Sequence, residues 1–413
     1  MTASRPPRTG FLDERPLAQI LAALDGDGEE ARVIGGAVRN ALLGEPIADV
    51  DIATTALPEE VVRRAQRAGF KPVPTGIEHG TVTVVADERP FEVTTLREDV
   101  ETFGRKAKVA FGRDWIKDAQ RRDFTMNALS LSRDGALHDT VGGLADLQAR
   151  RVRFIGDPAA RIAEDYLRIL RFFRFHAAYG EGPPDRAGLE ACVAARAGLD
   201  QLSRERVRME LLKLLVARHA VPMLVAMSET GLLVQLLGGV PLLASCANMM
   251  KLETAVGPPP EPIRRLAALA IFVVEDAARL AGRFRLSNAE AERLAAMGEN
   301  WWRVAASMPD NAARALLYRL GPQRYRDRCL LAWSRAKEGA ADARWQALTD
   351  LPQHWAAPVF PLKAADFIAR GVGKGPALGS ALAAAEEAWI AADFPMAKGD
   401  LDALAAAAVA RAN

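Results

Sequence analysis

Short apolar runs alternate with turns and short helical patterns over roughly the first 145 residues. Ala31–Ile34 is a mostly apolar run that ends in two glycines, and Ala37–Leu43 has the spacing of a helix that Gly44 closes. Val50–Ala53 predicts the next strand. Pro58 and the two acids that follow it are typical of a helix start. This part of the chain is therefore predicted to mix strands and helices.

Two hairpins are predicted in the same region. Thr81–Ala86 and Phe91–Thr95 are rich in β-branched residues and flank a predicted turn at Asp87 to Pro90. Asp134 and Gly135 form a second turn between two further short strands. Both hairpins favour a sheet with antiparallel neighbours.

After Gly143 the strand patterns largely stop and helical spacing takes over. Apolar residues recur at that spacing in Ala159–Ala178, Arg204–Val216 and Val221–Leu237. The rest is an Ala- and Leu-rich helical sequence, and its expected joints are Gly257–Pro262 and Leu351–Pro361. The whole pattern predicts an α/β head followed by a long all-helical part.

Composition narrows the class of protein. The chain has 413 residues, 50% hydrophobic and 26% charged, which excludes a disordered chain and predicts several domains. Its three cysteines are scattered, without the spacing of a metal site, and we expect reduced, buried thiols in a cytoplasmic protein. We expect no membrane association, because no apolar run is long enough to cross a bilayer.

The net charge of +2 indicates no partner, but its distribution is uneven. Gly104 to Phe124 and Arg150 to Arg174 each carry seven basic residues against three acids. Such stretches are either solvated faces or surfaces that face phosphates. The motifs that accompany them decide between these interpretations.

Asp49-Val50-Asp51 is the first candidate for chemistry. Residues two apart in a strand share a face, so the two carboxylates would project together. Carboxylates this close repel unless a cation lies between them, and oxygen ligands without His or Cys suit Mg²⁺. The alternative is an exposed strand end with two solvated acids. Glu92, in the strand Phe91–Thr95, is a candidate third acid for two-metal chemistry or an outward-facing strand residue.

Gly35 and Gly36 lie between a predicted strand and a helix, shortly before these acids. Glycines there let backbone amides approach a phosphate, and the helix N-terminus adds partial positive charge. Arg39, in the first turn, could bind a triphosphate through two nitrogens. A tight turn with a surface arginine is the alternative for this segment alone. Together with the acids, the segment favours nucleotide–Mg²⁺ chemistry.

The stretch IGGAVRNALLGEPIADVDIATTALPEEV from Ile34 resembles the signature of class II tRNA nucleotidyltransferases. That family belongs to the polymerase-β-like superfamily and includes CCA-adding enzymes and bacterial poly(A) polymerases. The resemblance continues in family order through GIEHGTVTVV, FEVTTLRED, RRDFTMNAL, HDTVGGLADL, EDYLRILRFFRF and SRERVRMELLKLL, and returns in the C-terminal segment from Leu362. The middle, from Leu243 to Phe360, matches only as generic helix.

The resemblance implies a fold and a domain order. It implies a polymerase-β-like α/β head with a mixed sheet and helices, followed by an all-α neck, body and tail. The implied domains are a catalytic head (1–145), a neck for base recognition (146–216), a body (217–350) and a tRNA-binding tail (351–413).

The resemblance also implies roles for individual residues. Phosphate binding would fall to Gly36 and Arg39, Mg²⁺ ligation to Asp49 and Asp51, and a further nucleotide contact to Arg122. A nucleotide-selecting helix would be formed by Asp165, Arg168, Arg171 and Arg174.

That helix has a physical logic of its own. Residues three apart on a helix are surface neighbours, so Asp165 and Arg168 would present an acceptor beside a donor. Cytosine and adenine carry an exocyclic amine beside a ring nitrogen acceptor, whereas uracil and guanine place a carbonyl where the amine stands. A buried mismatch of two acceptors costs a few kcal/mol, enough for strong discrimination.

Three positions depart from the family's common residues: Asn40 replaces an Asp, and Tyr166 and Thr140 each replace a Pro. The basic segment from Asp99 to Lys117, with Gly104 and Gly112, resembles the family's flexible loop. Its presence favours full CCA addition over CC addition alone.

We therefore predict template-independent addition of C, C and A to the tRNA 3′ end from CTP and ATP, with Mg²⁺ as cofactor. The expected partner is tRNA, contacted at its 3′ end and its acceptor and elbow region, and no obligatory protein partner is expected. The alternatives are an A-adding or poly(A) polymerase member of the family, or a non-catalytic RNA-binding protein.

Overall fold

The computed structural model describes residues 9–103 and 106–412. They divide into two units, with the boundary between Leu236 and Leu237. The first unit holds every described strand and the second unit is helical, as the sequence pattern predicts. The strands are β1 (Ala31–Ile34), β2 (Asp51–Thr54), β3 (Lys71–Gly76), β4 (Thr81–Ala86), β5 (Arg89–Thr95), β6 (Arg97–Phe103), β7 (Lys106–Phe111), β8 (Ser130–Ser132) and β9 (Leu137–His138).

Eleven α-helices belong to the first unit or end at its boundary, within the described residues. They are α1 (Arg15–Leu24), α2 (Gly36–Leu43), α3 (Pro58–Arg67), α4 (Trp115–Gln120), α5 (Gly143–Gln148), α6 (Pro158–Glu164), α7 (Leu167–Tyr179), α8 (Arg186–Ala194), α9 (Arg204–Leu215), α10 (Ala220–Glu229) and α11 (Leu232–Leu237).

The second unit has nine α-helices in its described part. They are α12 (Leu243–Val256), α13 (Pro262–Ala270), α14 (Val274–Phe284), α15 (Asn288–Gly298), α16 (Asp310–Arg335), α17 (Ala343–His354), α18 (Ala364–Ile368), α19 (Pro376–Ala391) and α20 (Lys398–Ala412). Short 3₁₀ helices add Gly10–Asp13, Ile77–His79, Thr125–Asn127, Arg196–Gln201 and Trp301–Arg303.

Seven strands form one mixed sheet in the order β3-β4-β5-β2-β1-β8-β9. β2 and β5 run parallel, and the other neighbours are antiparallel. Asp51 at the start of β2 stands opposite Ile34 on one side and Glu92 on the other. The sheet therefore brings the end of β1, the acidic start of β2 and Glu92 to one place.

The strand–turn–helix at the start of the sheet is as predicted. Gly35 has φ +65° and ψ −125°, a conformation that strains any residue with a Cβ, and it caps α2. Gly44 closes the same helix in the left-handed conformation, with φ +72°. The two glycines limit α2 to two turns, so that its N-terminus stays beside the end of β1.

The β4–β5 hairpin is confirmed, but its turn is shorter than predicted. Asp87 and Glu88, with φ of +48° and +61°, make a two-residue turn whose twist matches the strands. Pro90 lies inside β5, opposite Val85, instead of in the turn.

Three strands were not predicted. β3 contains two prolines and lies at the edge of the sheet. Proline has no backbone N–H, and an edge strand tolerates this because one of its sides forms no hydrogen bonds with a neighbouring strand. β6 and β7 pair with each other as a separate two-stranded sheet. The segment from Asp99 to Lys117, expected as a loop, thus contains most of this hairpin and the start of α4; its Gly104 lies outside the described residues.

One predicted helix is in fact two. The pattern over Ala159–Ala178 continues through a break at Asp165, whose φ of −156° and ψ of 107° are extended. α6 ends before this residue and α7 begins after Tyr166. The apolar residues before and after the break keep the spacing of a single continuous helix. The hydrophobic pattern therefore gives no indication of the break.

The second unit corrects two smaller predictions. The adjacent Trp301 and Trp302 lie in a helical, apolar sequence that predicts core positions, but Trp302 is 56% exposed. The joint expected from Leu351 begins inside α17, and the chain leaves helical structure only after His354. No helix among the described residues is long and apolar enough to span a membrane.

The turn at Thr125–Asn127 is held against α5. The Thr125 hydroxyl donates to Asp146, a carboxylate with no exposed surface, at 2.7 Å. A Cβ added to Gly143 would stand 2.2 Å from the carbonyl oxygen of Thr125, so only glycine lets the two backbones approach this closely.

Gly143→Ala should therefore destabilise the protein by about 3 kcal/mol, because the backbone of a well-packed turn must move. Gly379→Ala is the matched control, since a Cβ at this exposed position in α19 meets nothing within 4 Å. The control should be neutral or stabilising, because alanine favours helix. Denaturant unfolding of both variants measures the difference, and an equal stability of the two would contradict this account of the turn.

Candidate active site

A cavity of about 530 Å³ lies in the first unit beside the start of β2. Its lining combines six arginines with three aspartates, among few apolar groups. The lining residues are Gly35, Gly36, Arg39, Asp51, Arg122, Asp123, Asn127, Asp165, Leu167, Arg168, Arg171, Arg174, Phe175 and Arg206. Nine of the eleven predicted site residues are thus brought together; Asp49 and Glu92 do not line the cavity.

The carboxylates at the start of β2 repel each other. Asp49 precedes the strand and is exposed, whereas Asp51 is its half-buried first residue. Burial raises the pKa of Asp51 above its usual value, and the charges of Glu92 and Asp49 raise it further. Arg122 acts in the opposite direction. The site therefore has a local excess of negative charge that a cation would relieve.

A complete metal cage is absent from the described part of the chain. No three or more His, Cys, Asp and Glu side chains lie close enough there to hold one ion. Mg²⁺ is often bound by one or two carboxylates plus substrate phosphates and water. Asp49 and Asp51 fit that kind of site, and Glu92 stands beside it on β5.

Arg39 enters the cavity from the first turns of α2 and is only 7% exposed. Its guanidinium donates to the side-chain oxygens of Asn127 at 2.6 Å, Asn40 at 2.9 Å and Tyr179 at 2.7 Å. Burial lowers its pKa, although an arginine remains protonated at neutral pH. The charge is therefore held inside the cavity.

Arg171 on α7 is paired with the buried carboxylate of Asp123, with Nε 2.7 Å from Oδ2. Asp123 also accepts from the Phe124 backbone at 2.8 Å and from Asn127 at 3.0 Å. Burial alone would raise the pKa of Asp123, but Arg171 and these hydrogen bonds outweigh it and lower the pKa. The pair joins α7 to the segment that leads into the Thr125–Asn127 turn.

Arg174 lies one turn further along α7 and is bonded to Glu210 of α9, which also stands 3.7 Å from Arg171. The guanidinium carbons of both arginines lie over the ring of Phe175, at 5.1 Å and 4.3 Å from its centre. These contacts fix the orientation of two arginines that would otherwise repel each other.

Asp165 is held at the break between α6 and α7. Arg206 of α9 donates to its two oxygens at 3.2 and 2.6 Å, and the Leu167 amide donates at 3.1 Å. Because Asp165 caps the break, it does not lie on the same helix as Arg168. The prediction that both belong to one helix is wrong, although both line the cavity.

Arg168 is paired with Glu164 of α6, and its Nη1 donates to the Arg161 carbonyl at 2.5 Å. Arg122 is paired in the same way, with Nη2 3.1 Å from Asp118. Arg122 also lies close to the turn formed by Gly35 and Gly36, since a Cβ on Gly35 would be 3.6 Å from its Nη1. Two more cavity arginines thus have a carboxylate behind them.

Several cavity residues were not predicted from the sequence. Asp123, Asn127 and Arg206 stand in segments that carry the family resemblance, yet nothing in their local pattern marks them. Phe175 has the pattern of an ordinary core position. What marks these residues as part of the site is a contact with a residue distant in sequence, and such contacts are seen only in the folded protein.

The arrangement suits a large, polyanionic ligand that has a planar polar end. Basic groups and two glycines surround one part of the cavity, next to acids that can hold a divalent ion. At the other part, Asp165 and Arg168 present an acceptor and a donor. A nucleoside triphosphate has both features.

Known proteins agree with this description. A profile described as poly A polymerase head domain matches residues 31–153, and one described as a probable RNA and SrmB-binding site of polymerase A matches residues 185–246. The chain is similar to the solved Bacillus stearothermophilus CCA-adding enzyme in complex with CTP, with a TM-score of 0.77 and 27% identity over 96% of this chain and 98% of that one.

The mitochondrial CCA tRNA nucleotidyltransferase 1 of Mus musculus is 35% identical over 386 residues, which cover 91% of this chain and 86% of that protein. The CCA-adding enzyme of Limosilactobacillus fermentum is 34% identical over 89% of this chain and 90% of its own. Because these similarities extend over most of both chains, this chain belongs to the CCA-adding tRNA nucleotidyltransferase family.

Proposed function

We propose that the protein adds C, C and A to the 3′ end of tRNA from CTP and ATP, releasing pyrophosphate at each step. The supporting observation is the cavity itself, in which six arginines meet a strand-end carboxylate. The 3′-hydroxyl of the tRNA would attack the α-phosphate of the nucleotide. No nucleic-acid template is needed if protein side chains select the base.

Arg39, with Gly35 and Gly36 beside it, would bind the triphosphate, and Arg122, which lies next to Gly35, would add a contact. The glycine turn leaves room for phosphate oxygens beside the backbone, and the N-terminus of α2 points at the same place. Arg171 and Arg174, which Asp123 and Glu210 hold in place, would add preorganised N–H donors that keep part of their positive charge. Such preorganised charge stabilises the charge that develops on the phosphates during transfer.

Nucleotidyltransferases generally use divalent metal ions, and we propose Mg²⁺ here, held by Asp49 and Asp51. When bound, Mg²⁺ lowers the pKa of the attacking hydroxyl and neutralises charge on the triphosphate. Glu92 would act beside the pair by strengthening the negative potential at Asp51, as the raised pKa of that carboxyl indicates.

Base selection would rest on Asp165 and Arg168. Among the described residues, Oδ2 of Asp165 accepts one bond, from Arg206, which leaves a lone pair for the exocyclic amine of cytosine or adenine. The hydrogen bonds of Arg168 to described residues are all made by Nη1. Its Nε and Nη2 are therefore left to donate to the ring nitrogen of cytosine or adenine. Arg206 and Glu164 would then be the groups that hold the two readers in place.

A primer-extension assay tests the proposed function. Purified protein with Mg²⁺ and a tRNA transcript that lacks its 3′ CCA should add CCA from CTP and ATP and then stop. Two C residues alone, a single A on tRNA ending in CC, or an unlimited A tail would each replace the proposal with another activity of the family. Tight tRNA binding without extension would favour a binding protein.

Asp51→Asn should reduce incorporation by about a thousandfold or more, because several kcal/mol of transition-state stabilisation depend on the metal. The melting temperature without metal should be unchanged or higher, since the substitution removes repulsion from Glu92 and Asp49. Asp134→Asn, in the exposed turn between β8 and β9, is the matched control and should retain full activity. A folded Asp51→Asn variant with normal turnover would contradict the metal assignment.

Asp165→Asn should lower the preference for CTP over UTP by about tenfold or more, because an amide can donate to the carbonyl of uracil. Single-nucleotide incorporation with each triphosphate, on tRNA lacking CCA, measures the ratio. The same Asp134→Asn control should keep the original preference. Unchanged rejection of UTP by a folded variant would rule out Asp165 as a base reader.

The location of the protein remains a prediction. Its scattered, buried cysteines fit the cytoplasm proposed from the sequence, and all three are free in the structure. The Mus musculus relative is by name mitochondrial.

A further inference from the structure

Arg39 differs from the other cavity arginines in what surrounds it. Each of the other five is paired with a carboxylate: Arg122 with Asp118, Arg168 with Glu164, Arg171 with Asp123, Arg174 with Glu210 and Arg206 with Asp165. The side chains bonded to Arg39 among the described residues are Asn40, Asn127 and Tyr179, and all three are neutral.

Tyr179 makes two different contacts with this guanidinium. Its hydroxyl accepts from Nη2 at 2.7 Å, and its ring centre lies 3.9 Å from the guanidinium carbon. Stacking and hydrogen bonding together restrict both the plane and the rotation of an arginine head group. Tyr179 is the last residue of α7, so a residue 140 positions away in sequence orients Arg39.

The two asparagines are themselves fixed in the orientation that serves Arg39. The amide nitrogen of Asn127 donates to Asp123 at 3.0 Å, and that of Asn40 donates to the Pro46 carbonyl at 2.8 Å. Each amide oxygen is therefore turned toward the guanidinium. The three side chains form a rigid cradle that carries no formal charge.

A buried guanidinium without an anionic partner is costly, since its desolvation is only partly offset by neutral acceptors. Asp123, on the far side of Asn127, attracts this guanidinium, but no carboxylate is bonded to it among the described residues. Much of its charge is therefore available to an anion that enters the cavity. The paired arginines have less charge to offer, because a carboxylate already faces each of them. Arg39 is thus the cavity cation best suited to the triphosphate.

We propose that Tyr179 is a positioning residue, which holds Arg39 in the orientation that binds the triphosphate of either substrate. The proposal rests on the proposed function, in which that ligand is CTP or ATP. Because the contact is with the phosphate end, Tyr179 should matter equally for both nucleotides. Base choice should not depend on it.

Tyr179→Phe keeps the ring and removes the hydroxyl acceptor. The KM values for CTP and for ATP should both rise about tenfold, as expected for a lost hydrogen bond to a charged group, while kcat changes little. The inhibition constant of inorganic tripolyphosphate, at constant free Mg²⁺, should rise by the same factor, because this probe has no base. The ratio of CTP to UTP incorporation should stay unchanged.

Tyr325→Phe is the matched control. It also removes a buried tyrosine hydroxyl, which donates to the Leu348 carbonyl at 2.9 Å within the second unit. This variant should lower the melting temperature without changing KM for either nucleotide. If Tyr179→Phe behaves in the same way, with lower stability and unchanged KM and tripolyphosphate inhibition, its role is only structural and the proposal is overturned.

Arg39→Lys separates this inference from the proposed function. If Arg39→Lys weakens tripolyphosphate inhibition and Tyr179→Phe does not, Arg39 binds phosphate and the positioning role of Tyr179 is wrong. If neither variant changes it, the assignment of Arg39 to the triphosphate fails as well. A change in the CTP-to-UTP ratio in Tyr179→Phe would contradict a role confined to the phosphate end.

Discussion

Six arginines cannot line one cavity unless something counters their mutual repulsion and the loss of their hydration. The fold supplies a carboxylate behind five of them, and these partners come from α4, α6, α9 and the segments just before the Thr125–Asn127 turn and before α7. The pair of the buried Asp123 and the half-buried Arg171 is central, because it fastens α7 to the turn that also carries Asn127. Without the Asp123 carboxylate, the arginines of α7 would repel one another.

Pairing also determines what each group can still do. A carboxylate bound on one side by Arg206 retains acceptor capacity on the other, and an arginine bound through one nitrogen retains its remaining donors. Recognition of a base needs such directional, nearly neutral groups, because the base itself is uncharged. The pairs at Asp165 and Arg168 meet this requirement without adding net charge.

The strand, turn and helix ends of this site could be predicted from the sequence, but the pairs between arginines and carboxylates could not. Gly35, Gly44 and Pro58 act on their own backbone, so the strand, the turn and the helices around them follow from nearby residues. Asp123 and Arg171 are 48 residues apart, and their contact depends on the packing of α7. The break at Asp165 is hidden from the sequence for a related reason: no Pro or Gly marks it, and besides the Leu167 amide its carboxylate is held by the distant Arg206.

The two ends of the cavity therefore solve opposite electrostatic problems with one helix. At the start of α7, opposite charges are matched, so that under the proposed function the direction of hydrogen bonds would decide which base is accepted. At its end, Tyr179 and two amides hold Arg39 without a bonded carboxylate, so that its charge would attract the phosphates of the proposed substrate. α7 has 13 residues and is about 20 Å long at 1.5 Å per residue. One rigid element of that length carries Arg168 near one end and the Tyr179 that holds Arg39 at the other. If Arg168 reads the base and Arg39 binds the phosphates, as proposed, the backbone of α7 would link base choice to phosphate alignment.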